Sequence, residues 1–416
     1  MAMGEWKEYR LGDFMEFNPK ESIKKGTVAR KITMDLLVPH SRDIYDYVYE
    51  PYSGGAKFRN GDTIMARITP CLENGKHAFI SLLDEGEIAY GSTEYIVMRG
   101  KAGVSDNAFV YYLTHTPEFK ATAIKSMVGS SGRQRAQVEV LENMTMYLPS
   151  AIDEQIAIAK QLLEIDDKIA NNRNICSNLE KQAETLFSNI FTDFLKRKDL
   201  TLKTSPIGSI PEDWVVERIE NIPHTLETGR RPKGGVNGIK SGVPSIGAEN
   251  IKGLGCYDYS KTKYITEEYS RSLKKGRING YELLIYKDGG KPGYFIPNFA
   301  IFGGGYPFEE MYLNEHVFKL DFQNKGYAMF AYFYFKTKPI MAYLNAQGAK
   351  AAIPGINTKD IESIYILSPE NKVVKDYCSI VDDMITQILI RSKESARLSN
   401  LRDTLLPKLL CGEIKM

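Results

Sequence analysis

The 416-residue chain has little of what marks a secreted, membrane or metal-built protein. Its five cysteines (Cys71, Cys176, Cys256, Cys378 and Cys411) are scattered and odd in number, with no C-x-x-C pair. That argues against a disulfide or zinc framework and for reduced, cytosolic thiols. The five histidines (His40, His77, His115, His224 and His316) lack metal-ligand spacing, so neither a metal nor a cofactor is expected. A run of about 18 apolar residues is absent, which excludes a membrane-spanning helix. The N-terminal residues lack the apolar stretch of a secretory signal, so none is expected. Neither sign of charge dominates: the net charge is +2. A near-neutral average neither supports nor excludes nucleic acid, because a DNA-binding surface needs only one basic face.

Catalytic motifs are missing as well. An adenine methyltransferase needs an Asn-Pro-Pro-aromatic motif to stack a flipped base. Phe17-Asn18-Pro19-Lys20 lacks the second proline and the aromatic. Lys287–Lys291 is no phosphate loop, since Pro292 follows where a hydroxyl must hold Mg²⁺. A nuclease built from Asp106, Glu118 and Lys120 would place its groups around an amphipathic helix, a poor active site.

What is present is a repeat. Gly129–Gly132, Met144–Pro149, Ile165–Ile169 and Thr185–Phe187 return roughly 216–220 residues later as Gly348–Ala351, Ser363–Leu367, Val381–Ile385 and Thr404–Leu406. Each copy reads as a globule followed by a long helix. Residues 151–197 contain neither glycine nor proline. Ile158, Leu162, Ile165, Ile169, Asn172, Cys176, Leu179, Ala183, Leu186 and Ile190 alternate steps of four and three, a heptad seam. About 40 helical residues span roughly 60 Å, more than a small globule needs. The second seam is Tyr377, Val381, Met384, Ile388, Arg391, Ser395 and Leu398, then Leu401 and Leu405 after a one-residue skip. Both seams are polar at the centre, and the expected solution is an antiparallel coiled coil, related by an approximate two-fold axis.

The expected organisation is a first globule at 1–150, a long helix at 151–197, a polar linker at 198–205, a second globule at 206–368 and a second long helix with tail at 369–416. Both globules are expected to be β-rich, giving an α+β protein. Strands are predicted at Thr63–Ile68, His77–Leu82, Glu94–Met98, Leu283–Tyr286, Gly293–Ile296 and Glu315–Leu320, with one helix each near Asn107–Lys125 and Ala328–Asn345. Shared landmarks align Trp6–Leu11 with Trp214–Ile219, Gly61–Arg67 with Gly280–Tyr286, and Thr93–Tyr95 with Asn314–His316. Between them the loops diverge, the pattern of two binding modules with different specificities.

The two globule-to-helix junctions, the segment Val243–Ile251 and the C-terminal Leu405–Ile414 resemble the specificity subunit of type I restriction–modification systems. The likeness covers nearly the whole chain. Arg133-Gln134-Arg135 departs from the usual polar segment of the first junction, and residues 20–60 match no motif. The resemblance implies two target recognition domains, each reading one half of a split double-stranded DNA target, with the helices as a ruler. It implies two copies of an adenine-N6 methyltransferase subunit and a restriction/translocase subunit as partners, with no catalysis by this chain and no membrane.

Bases are read at their edges by Arg, Lys, Asn, Gln and Ser or Thr, and phosphates are held by Lys and Arg. Candidate contacts in the first globule are Arg30, Lys31, Lys57, Arg59, Arg67, Thr69, Lys76, Ser130, Ser131, Arg133, Gln134, Arg135 and Gln137. In the second they are Arg230, Arg231, Lys233, Lys287, Lys291, Tyr294 and Lys350. Glycines in Gly229–Gly235 are expected to let backbone approach phosphate. The alternative reading is an adaptor whose two heads bind protein.

Overall fold

A computed structural model describes residues 5–130, 132–193, 200–289, 293–350 and 353–414. The chain divides into two compact units, residues 1–170 with 397–416, and residues 171–396. Both divisions fall inside the long helices rather than at the globule edges.

In the first unit the strands are β1 (Trp6–Arg10), β2 (Met15–Phe17), β3 (Val28–Ile32), β4 (Val48–Pro51), β5 (Lys57–Phe58), β6 (Thr63–Ala66), β7 (His77–Phe79), β8 (Ala89–Gly91), β9 (Tyr95–Gly100) and β10 (Thr145–Pro149). They form a β1-β10 ribbon and two sheets, ordered β2-β9-β6-β7 and β4-β3-β8-β5. All pairs are antiparallel except β3 with β8. Strand β6 is buried throughout and reads as an unbroken run, whereas β10 alternates, with Met146 and Leu148 inward. The short helices are α1 (Leu11–Phe14), α2 (Asn107–Leu113), α3 (Pro117–Lys125) and α4 (Val138–Asn143). The single helix expected over 107–125 is thus two. Asp106 caps α2, and Thr116 caps α3 with Pro117 at its first turn. That proline fits only a helix start, so the chain breaks there.

The second unit holds β11 (Leu202–Ser205), β12 (Gly208–Pro211), β13 (Val216–Arg218), β14 (Thr225–Thr228), β15 (Val243–Ile246), β16 (Lys263–Ile265), β17 (Leu283–Tyr286), β18 (Phe299–Ala300), β19 (Tyr312–Leu313), β20 (Val317–Asp321) and β21 (Tyr365–Leu367). Its sheets are ordered β14-β20-β17-β18 and β16-β15-β19, with β13-β21 and β11-β12 ribbons. Residues 202–205 of the expected linker are therefore strand, while 198–199 lie outside the described residues. The strand expected at Gly293–Ile296 is irregular instead: the edge partner of β17 is β18, three residues later.

Apart from the β11-β12 hairpin, the two units share one plan. The β2-β9-β6-β7 order recurs as β14-β20-β17-β18, and the parallel β3/β8 pair recurs as β15/β19. Hydrogen bonds refine the alignment. Arg67 N donates to Glu94 O and Ala136 N to Arg67 O; Lys287 N donates to His316 O and Ile356 N to Lys287 O. Arg67 therefore corresponds to Lys287 and Glu94 to His316, one residue off the landmark pairing. Gly61 (φ 90°) corresponds to Tyr281 (φ 70°), not to Gly280. The left-handed conformation is kept although its usual residue is not, which is why residue identity misleads there.

The helices of the second unit begin with α6 (Glu267–Ser272), followed by α7 (Lys325–Phe335), α8 (Lys338–Gly348) and α9 (Thr358–Glu362). Again the expected single helix splits, at Pro339 in the first turn of α8. The long helices are α5 (Ile152–Phe187), continued by a π-helical turn at Ser188–Thr192, and α10 (Lys372–Leu410). In the first unit Ile158 and Leu162 are buried with Leu406, Leu409 and Leu410, while Asp166 takes Arg402. In the second, Asn172 bonds Glu394 and Ser395, Cys176 reaches Ile388 O, and Tyr377 donates to Ala183 O. Numbers rise on one helix as they fall on the other, so each unit contains an antiparallel pair. Of the seam, Tyr377, Val381 and Ile388 are buried, and Leu179, Leu186, Met384 and Leu405 pack partly against the cores. Ile165, Ile169 and Leu398 are half-buried. Leu401 leaves the expected seam and is 48% exposed; the neighbouring Arg402 turns inward to Asp166 instead.

Candidate nucleic-acid interface

Three segments converge on one corner of the first unit. The chain leaving β6 (Arg67–Thr69), the chain approaching β9 (Glu94) and the strand-like segment Gln134–Ala136 are tied by backbone hydrogen bonds of 2.8–3.0 Å. Val128 and Arg135 close a hairpin whose tip turns through Ser130 and Arg133. Gly129 (φ 138°) is required there, since a Cβ would stand 2.8 Å from Arg133 O. On this platform Arg135 grips Glu94: Nε and Nη2 lie 2.6–3.0 Å from the carboxylate oxygens. The arginine holds the Glu94 carboxyl below its ordinary range, against the opposing effect of burial. Gln137 donates to Arg135 O, and Arg67 Nη2 to Ala136 O.

The other first-unit candidates divide by what already holds them. Arg30 is buried, bonded to Tyr49, Leu82 O and Asp84, and stacked on Tyr47. It is a structural cation rather than an available one, correcting the expectation from sequence. Lys76 is likewise spent on Met34 O at 2.6 Å. Lys31 pairs with Glu50 and Lys57 reaches Tyr52. Thr69 Oγ1 lies 3.4 Å from Gln134 O. Arg59 is exposed beside Glu21 at 3.7 Å. Ser130 and Arg133 are exposed, and no side-chain bond holds Arg133 among the described residues. Ser131 lies outside the described residues.

The second unit rebuilds the corner with other groups. Asp288 stands where Ile68 does and Gly355 where Arg135 does, each pair forming the same isolated bridge. His316 Nδ1 bonds Asp288, and its Nε2 lies 3.1 Å from Glu315. Arg231 approaches Glu315 at 3.3 Å, and Lys287 approaches Asp288 at 3.4 Å. Arg230 and Lys233 are exposed, Tyr294 is 60% exposed, and Lys350 bonds Gln347. Lys291 lies outside the described residues. The Gly229 expectation is corrected: that glycine is buried, and a Cβ would strike Leu313 O at 1.6 Å. It serves chain crossing, while Gly234 and Gly235 remain open on the surface side.

Reasoning from sequence looked for cations and missed the acids. Glu94, Asp288 and Glu315 pair with the basic candidates Arg135, Lys287 and Arg231, and His316 bonds both carboxylates of its corner. Their signal was their place at the shared landmarks, directly before β9 and β20 and after β17.

Known proteins agree with this architecture. Residues 3–181 match the family described as type I restriction modification DNA specificity domain. The MjaIX specificity subunit of a type I restriction enzyme from Methanocaldococcus jannaschii is 26% identical over 314 residues, 74% of this chain and 69% of that protein. The MjaVIII specificity subunit of the same organism is 23% identical over 437 aligned residues, 99% of this chain and 93% of that one. The crystal structure of the type I restriction-modification S subunit from M. genitalium shares the fold, with a TM-score of 0.53 and 14% identity over 99% of this chain and 97% of that chain. Residues 3–181 thus match the DNA specificity domain of type I restriction–modification systems, and along most of its length the chain is similar to type I restriction-enzyme specificity subunits.

Proposed function

We propose that each unit reads one half of a bipartite double-stranded DNA target, and that the chain positions two adenine-N6 methyltransferase subunits and a restriction/translocase subunit on it in the cytoplasm. As a specificity subunit it is a non-catalytic component. The observation that carries the reading is the repeated backbone framework beneath unlike loops: the hydrogen bonds around Arg67 and Lys287 correspond, while the side chains at the two corners do not. A framework that holds its backbone and varies its presented groups suits two readers of different sequences. In this reading the exposed Arg59, Arg133, Arg230 and Lys233 take phosphates, and the exposed Arg135 meets a base edge.

Methylome sequencing of the host with and without the chain tests this. A split methyl-adenine motif should vanish when the chain is removed. An unchanged methylome in a host with an active partner methyltransferase would refute the reading.

A further inference from the structure

The two corners are one site with two fillings. Their equivalence rests on backbone bonds: Ile68 bridges Arg135 as Asp288 bridges Gly355, and Thr69 N donates to Gln134 O as Gly289 N donates to Pro354 O. In the first unit the acid comes from position 94 and the cation from 135. In the second, His316 occupies the place of Glu94, and the acid has moved to Asp288. Gly355 makes that exchange possible, because a Cβ there would lie 2.6 Å from the Asp288 Cβ.

The fillings offer opposite chemistry. Glu94 occupies Nε and Nη2 of Arg135 and leaves Nη1 without a protein partner among the described residues. The Arg135 side chain is 44% exposed, so a plane fixed by Glu94 presents a donor outward. Such a donor matches the N7 and O6 acceptors of guanine in the major groove. In the second unit Asp288 and Glu315, 24% and 38% exposed, flank His316. Carboxylate oxygens accept from the exocyclic amino groups of cytosine or adenine.

Resting on the DNA-reading function above, we propose that these corners are specificity-determining: Arg135, positioned by Glu94, reads a purine acceptor edge in one half-site, and Asp288, positioned by His316, reads a base amino group in the other. Glu94 and His316 act through their neighbours and are positioning residues.

The test uses the full chain assembled with its methyltransferase subunit, DNA selection from a randomised duplex pool, and melting curves to confirm folding. R135Q should lower discrimination at one position of one half-site by on the order of tenfold. E94Q should relax the same position while affinity for unrelated DNA holds or rises, a split that loss of structure would not produce. D288N and H316Q should alter one position of the other half-site only. If wild type selects a split motif and folded E94Q, R135Q and D288N all select it unchanged, the corner assignment is wrong while the DNA-reading function stands. If wild type selects no split motif, the function itself fails. Should R135Q not fold, E94Q and D288N still decide the matter.

Discussion

Arg402 Nη1 donates to Asp166 Oδ1 at 2.7 Å, joining residues 236 positions apart within the first unit. The pair is buried, with side chains 14% and 5% exposed, and Tyr112 donates to the other Asp166 oxygen at 2.7 Å. The C-terminal turns of α10 are thus part of the N-terminal unit's core. Asp166→Ala leaves the Tyr112 hydroxyl and Arg402 Nη1 without their acceptor, while Nε and Nη2 keep Asp403. The expected cost is about 2–3 kcal/mol, read as a lower denaturant midpoint for the first unit. A loss under about 1 kcal/mol would mean the pair contributes no more than an exposed ion pair.

Acid should weaken the same unit through His77. Its ring is buried 4.6 Å from that of His115, and neither ring nitrogen has a partner among the described residues. Burial holds His77 well below the ordinary histidine range and His115 down to about 3. The folded state keeps both neutral, whereas the unfolded chain takes protons below about pH 6.5. Stability is therefore full above that pH and falls below it, by about 2 kcal/mol for His77 alone at pH 5. Strand pairing places Phe299 at the equivalent position of the second unit. His77→Phe should raise the melting temperature and shrink the acid loss. An identical pH profile in the variant would assign the acid loss elsewhere.

Arg133 and Arg135 should separate in their salt dependence. Arg133 is exposed and has no side-chain bond among the described residues, a phosphate contact under the proposed function. Arg133→Ala should weaken cognate and unrelated duplex alike and lower the log–log salt slope by about 1. Unchanged affinity at matched salt would remove Arg133 from the interface.

Length in the helices should set spacing in the target. Deleting one heptad from each of α5 and α10 keeps the seam in phase and removes about 10 Å of helix, about three base pairs of duplex. The preferred spacer should shorten with both half-sites unchanged. A fixed spacer would show that the helices do not measure it.

The seam was legible because heptad periodicity is local: Ile158, Leu162, Tyr377 and Val381 announce themselves by spacing alone, and all are buried. Strand β17 was legible for the same reason. The helices at 107–125 and 328–345 were legible as helix but not as pairs, because apolar spacing runs on through Pro117 and Pro339, each in the first turn of a new helix. Gly293–Ile296 misled because an apolar run carries no statement of its partner. The landmark pairing slipped by one because Gly61 and Tyr281 share a backbone conformation without sharing a residue type.

The sequence by itself determined the duplication, the two long helices and the lack of any catalytic or metal motif, since these depend on spacing along the chain. Only the tertiary structure decided which cations are available. Arg30 and Arg135 look alike in sequence, yet Arg30 is enclosed by groups up to 54 residues away, and Arg135 is held half-exposed by an acid 41 residues away. Charge pairing over such separations follows from the register of backbone hydrogen bonds, and that register is settled by packing rather than by local pattern.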